Sequence, residues 1–193
     1  MTQVPGYSYG SPENTTSPVS LTDLDQLKAT LLWSDDDERW RRRAGELLTP
    51  QAEDILDVWY GFVGSSPHLV STFSGADGQP DGDYLAAVRR RFALWIHDTC
   101  SRDLDQAWLD QQHEIALRHT AAKKSATDGV NSTSAEVPLR YLVAFIVPLT
   151  VTVEPFLSSK AGPDDDVAAM MTAWFKAITL TATLWSQPYA DGW

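Results

Sequence analysis

At 193 residues, 43% of them hydrophobic, the chain is long enough to bury one good core and is most simply a single domain. Its formal net charge of -11 argues against nucleic acid and anionic lipid as main partners, because both reward clustered Lys and Arg. A single cysteine, Cys100, excludes an intramolecular disulfide, a four-thiolate zinc site and an iron-sulfur cluster within one chain, and fits a reducing cytoplasm.

The stretch from Met1 to Pro18 is rich in Pro, Gly, Ser and Tyr and lacks the basic start and apolar run of a secretory signal, so it is expected to be irregular. The sequons at Asn14 and Asn131 should then stay unmodified. Leu24, Leu27, Leu31 and Leu32 predict one amphipathic helix, and Trp40, Ala44, Leu47 and Leu48 a second with acidic Asp35, Asp36 and Asp37 at its head. Thr49-Pro50 offers an N-cap followed by proline at the first helical position, opening a helix through Ile55, Val58, Trp59, Phe62 and Val63. A Gly, Pro and Asp loop from Ser74 to Asp83 leads to a helix through Leu85, Val88, Phe92, Trp95 and Ile96. The next helix ends on His119 and gives way to a polar loop from Lys123 to Glu136.

From Val137 to Leu157 the chain is apolar nearly all round, but Arg140, Pro148, Glu154 and Pro155 interrupt what would otherwise suggest a membrane span. It reads as a buried helix, kinked or broken near Pro148. Thr150 to Val153 has strand propensity without partner strands to pair with. The last helix follows Gly162-Pro163, with Asp164, Asp165 and Asp166 favouring its N-terminus, and runs through Met170, Trp174, Phe175, Ile178 and Trp185. The expectation is an all-α fold of about seven helices with no sheet.

His119 shares a helical face with Ile115, Trp108 and Leu104, so its imidazole projects from an apolar stripe. It reads either as a hydrogen-bonded core histidine or as an axial iron ligand. His68, His97 and His113 look like surface residues. A zinc site fails on spacing, because His113-Glu114 should meet a second histidine at the fourth position and His119 comes at the sixth. No serine sits in a nucleophile elbow, and no Gly-rich phosphate loop is present. Tyr60 beside Trp59 reads as a packing aromatic or as a hydroxyl that donates to bound dioxygen. Arg89, Arg90 and Arg91 read as a solvated face, or as the source of a guanidinium for a haem propionate. Eight Trp suit a large internal pocket as well as an ordinary core.

Several stretches in order resemble the protoglobins, single-domain haem proteins related to globin-coupled sensors. They are Val4-Pro-Gly-Tyr-Ser-Tyr-Gly, Asp54-Ile-Leu-Asp-Val-Trp-Tyr-Gly-Phe-Val, Trp108-Leu-Asp, Glu114-Ile-Ala-Leu-Arg-His-Thr, Asp128-Gly-Val, Leu139-Arg-Tyr-Leu-Val-Ala-Phe-Ile and Ala173-Trp-Phe-Lys-Ala, and they span nearly the whole chain. The resemblance implies a globin-like bundle over residues 21–193 with an extra N-terminal helix, and an extension over residues 1–20 that covers the haem. It makes His119 the proximal ligand of haem b and Tyr60 the distal donor. Trp59 and Phe92 would wall the distal side, with Val88 where many globins carry a distal histidine. Phe62, Val63 and Phe145 would be pocket or tunnel residues, and Arg91 a contact to the cofactor. It also implies a homodimer through the last two long helices.

The leading expectation is therefore a cytoplasmic haem b protein that binds O2, CO and NO at five-coordinate ferrous iron, in gas sensing or scavenging, without nucleic acid or membrane. A second reading is a haem enzyme acting on nitric oxide, nitrite or peroxide, with promiscuous or engineered carbene transfer possible at the same open site. A third is a cofactor-free helical interaction domain, for which the Trp count is simple packing.

Overall fold

The computed structural model describes residues 4–75, 77–124, 126, 128–129 and 134–190, and among them the chain is helical without a strand. The helices are α1 (Leu21–Thr30), α2 (Asp35–Leu48), α3 (Ala52–Gly64), a single turn α4 (Pro67–Val70), α5 (Gly82–Ser101), α6 (Gln106–His119), α7 (Leu139–Ala144), α8 (Ile146–Lys160) and α9 (Val167–Ser186). The Asn131 sequon and Val130 lie outside the described residues.

Helix starts are fixed by local chemistry. Ser20 with Asp23, and Ser34 with Asp37, form reciprocal capping boxes on α1 and α2. Asp81, Asp105 and Asp166 each accept a backbone N–H at the head of α5, α6 and α9. Thr49 departs from expectation, since its side chain caps nothing. Instead a 3-10 turn over Thr49–Gln51, with Pro50 inside it, links α2 to α3. Leu32, expected on the apolar face of α1, lies beyond that helix. It takes φ +54° while Leu32 N–H reaches Ala29 O and Trp33 N–H reaches Lys28 O, a Schellman stop that leaves Leu32 79% exposed.

The apolar stretch after Val137 breaks between α7 and α8, three residues before Pro148. Pro148 has no N–H for the Ala144 carbonyl and its ring crowds that same carbonyl, so the ladder fails there. Thr150 to Val153 is helical, and the Thr150 hydroxyl returns to Ile146 O at 2.6 Å. The expectation that this stretch is buried is not met, since Val143, Val147 and Val151 are 52%, 64% and 57% exposed. Leu139–Lys160 and Val167–Tyr189 are both long and apolar enough to cross a membrane, but half of the second is buried inside the bundle and 17% of the first.

α9 is the central helix, packed on α2, α6 and α8. One core layer joins Leu48 (α2), Leu56 (α3), Ile96 (α5), Leu157 (α8) and Trp174 (α9), and a second joins Leu24 (α1), Leu109 (α6) and Leu180 (α9). Gly45 permits a close crossing of α2 and α5, because a Cβ there would stand 2.5 Å from Cys100 Cβ on α5. Arg41, fully buried, secures the same crossing by donating to Thr99 O at 2.6 Å and Arg102 O at 2.8 Å, where the last carbonyls of α5 lack helical partners.

Candidate functional site

The bundle encloses a cavity of about 200 Å³ between α3, α5, α6, α8 and α9, larger than the roughly 150 Å³ hole that can hold a benzene ring. A void this size forfeits packing that a close-packed core would keep, which marks it as a binding site rather than a defect.

His119 is the last residue of α6 and lines the cavity. Its Nδ1 stands 2.8 Å from Ile115 O, one turn back. A carbonyl only accepts, so Nδ1 carries the proton and Nε2 keeps a lone pair, with no hydrogen-bond partner among the described residues. Burial lowers the imidazole pKa to about 4, so the ring is neutral at pH 7. Trp185 of α9 stacks on it at 4.8 Å and 29° and fixes the ring plane. Ile115 shares the cavity, as the helical face predicted. Trp108 lies on that face three turns away, and Leu104, expected on it, precedes α6 altogether; both pack in the second core layer.

The other histidines stand elsewhere. His97 contacts Ser101 Oγ at 3.1 Å, His68 is exposed beside the Tyr141 ring, and His113 is half-buried outside the cavity. Among the described residues no three metal-ligating side chains cluster.

A second wall comes from α3 and α5. Trp59, Tyr60 and Val63 line it from α3, Val88 and Phe92 from α5, and Phe145 from the α7–α8 break. Trp59 is held edge-on by Phe92 at 5.8 Å and by Phe145 at 5.1 Å. The Tyr60 hydroxyl is buried with no hydrogen-bond partner among the described residues, and burial pushes its pKa up, so it remains a proton donor. Phe62 does not line the cavity. It packs against Trp59 at 5.5 Å and is 40% exposed, because position 62 lies about 100° around α3 from Val63, at the edge of the cavity-facing side.

The three arginines diverge. Arg89 holds Glu53 and Asp57 at 2.8 Å each and ties α5 to α3 outside the cavity, and Arg90 is exposed. Arg91 lines the cavity and grips Asp128 with two bonds of 3.0 and 2.7 Å.

The N-terminal segment closes one side. Gly6 and Tyr7 line the cavity, Gly6 turning at φ +78° where a side chain would be strained. Arg118 donates to Gly6 O, and the Tyr7 hydroxyl donates to Asp98 Oδ2 at 2.9 Å. Further along, Ser17 N–H reaches Asp110 at 2.8 Å.

Sequence reasoning missed Tyr7, Tyr84, Lys124 and Trp185 as cavity residues. A signal existed for Trp185, which stands one turn beyond Thr181 and two beyond Ile178, all on the cavity face of α9. Lys124 carried none, since a lysine in a polar loop reads as solvated.

The family model described as Protoglobin matches residues 20–192, nearly the whole chain, and no curated protein matches it. The chain belongs to the protoglobin family, haem globins that bind gases.

Proposed function

We propose that this protoglobin is a cytoplasmic haem b protein in which His119 is the proximal iron ligand and Tyr60 the donor to a bound diatomic gas. The observation that carries the reading is that one cavity brings together two polar atoms of complementary kind, the Nε2 lone pair of a neutral imidazole and the O–H of a phenol that has no partner among the described residues. A ferrous haem supplies an open coordination position for O2, CO or NO.

The chain's own residues do the rest. The Ile115 carbonyl fixes the His119 tautomer and, by accepting from Nδ1–H, raises the basicity of Nε2. Trp185 restrains ring rotation. Trp59, Phe92, Val88 and Phe145 present apolar surface that excludes water. With valine at position 88, this wall offers no imidazole to shuttle protons, which favours reversible binding over peroxide chemistry. Arg91 sits at the cavity edge where a guanidinium suits a propionate. The segment over residues 1–20 acts as a cover, since Gly6 and Tyr7 already form part of the wall. Burial pushes the Cys100 thiol up to about 12, leaving it unreactive and suited to a reducing compartment.

We also propose a homodimer through the last two long helices. Val143, Val147 and Val151 repeat every four residues as one exposed apolar stripe, and Phe175 of α9 is 47% exposed.

The test of the ligand assignment is His119→Ala beside His113→Ala. The first should lose most of its haem and recover it when imidazole is supplied; the second should keep it. Equal haem retention by both variants would defeat the assignment.

A further inference from the structure

The end of α9 holds α6 at three points. Beyond Ser186, α9 continues into a 3-10 turn over Gln187–Tyr189, in which Pro188 fixes its own φ and stiffens the turn. Trp185 Nε1 donates to Oε1 of the buried Gln112 at 3.0 Å, while the Trp185 ring stacks on His119, two turns further along α6. One turn beyond Trp185, the Tyr189 hydroxyl stands 2.9 Å from His119 O and 2.7 Å from Val137 O.

His119 closes α6, so its carbonyl has no partner within the helix. Val137 N–H supplies one partner at 2.7 Å, and Tyr189 supplies the other. A phenol has a single O–H, which the two carbonyls here share as a three-centre bond. Burial and the Glu136 carboxylate raise the pKa of this phenol, so the proton stays on the oxygen. His119 and Val137 flank the segment over residues 120–136, so one hydroxyl closes the neck of that segment as well as the last turn of α6. The bond to His119 O spans 70 residues of sequence, and it is lost if the end of α9 moves.

We propose that Tyr189 is a positioning residue of the proximal site, its hydroxyl holding the carbonyls of His119 and Val137 so that the last turn of α6 presents His119 Nε2 at a fixed depth in the cavity. The inference rests on the haem reading above and adds to it a side chain that does not itself line the cavity. The Ile115 carbonyl sets the direction of the His119 ring relative to α6, and Trp185 sets its plane, but neither holds the backbone on which the ring stands. A helix end whose final carbonyls lose their partners frays, and the imidazole moves with it. The end of α9 therefore bears on the iron–histidine bond through His119 O.

The test is Tyr189→Phe in the full-length protein, which keeps the ring and removes the hydroxyl. Hydrogen exchange at the Val137 amide reads the neck, and the iron–histidine stretching band in the resonance Raman spectrum of the ferrous, ligand-free protein reads the imidazole. The Val137 amide should be protected in the unaltered protein and exchange roughly 2- to 10-fold faster in the variant, the loss expected for one shared hydrogen bond. The band should shift and broaden, because the imidazole then samples a range of depths. Gly45→Ala, which disturbs the crossing of α2 and α5 instead, should lower the melting temperature without moving the band. An unprotected Val137 amide in the unaltered protein, unchanged exchange in the variant, or a band that stays in place or moves equally in both variants overturns the proposal and leaves the haem reading standing. Failure of the unaltered chain to bind haem overturns both.

Discussion

Tyr60→Phe removes a single oxygen, and the structure gives that removal opposite signs in two states of the protein. Among the described residues the Tyr60 hydroxyl is buried and has no hydrogen-bond partner in the protein itself. Such a group costs about 1 to 3 kcal/mol when it loses water and gains nothing, so the phenylalanine variant should be the more stable apoprotein. At this chain length the melting temperature should rise by about 2–4 °C per kcal/mol. With haem and dioxygen bound, the hydroxyl has an acceptor, and losing a bond of about 1 to 3 kcal/mol should speed dioxygen release roughly 5- to 150-fold. Carbon monoxide carries little charge on its outer atom, so its release should change less. Thermal melts of the apoprotein and stopped-flow release of both gases read the two signs. A variant that melts lower as apoprotein, or that releases both gases equally faster, would make Tyr60 a packing residue and refute the reasoning.

Two further perturbations test the scaffold. Val147→Glu puts a charge in the middle of the exposed stripe of α7 and α8, where Val147 is 64% exposed, so it should turn a dimer into a monomer on size-exclusion chromatography with little change in melting temperature. An unchanged elution volume would remove this stripe from the interface. Gly45→Ala would force a methyl to within 2.5 Å of Cys100 Cβ on a packed crossing, and the overpacking should cost about 1–3 kcal/mol in a chemical denaturation curve. A neutral result would mean that α2 and α5 can part without loss.

The helices were legible wherever a local signal set their limits. The acidic heads of α2 and α9 and the clash of Pro148 with the Ala144 carbonyl all act within four residues, a range that a sequence reading can see, whereas the Asp81 and Asp105 caps of α5 and α6 went unread. The Leu32 turn was not, because an apolar residue at helical spacing says nothing about the chain reversing one residue earlier. The apolar stretch of α7 and α8 looked buried for a related reason. Hydrophobicity reports that a surface avoids water, not whether the cover lies in the same chain.

The cavity followed the same rule. His119 and Ile115 share it because a face persists over one turn, and Trp59, Tyr60 and Val63 because α3 keeps its phase. Phe62 stands a single residue from Val63 and faces out, so adjacency in a motif did not translate into adjacency in the cavity. The partner of Arg91 lies 37 residues away in a loop, and no local pattern could have paired it with Asp128 or set Lys124 beside the Tyr84 ring.

The most direct measurement is the absorption spectrum of the purified protein in ferric, ferrous and carbon monoxide forms, with haem counted per chain. One haem per chain, five-coordinate when ferrous and converting to a histidine-ligated carbon monoxide complex, is the result expected from the free Nε2 of His119 and the open cavity beside it. A chain that takes up no haem even when haem is added would contradict the account, and would return His119 and its stacked Trp185 to ordinary packing.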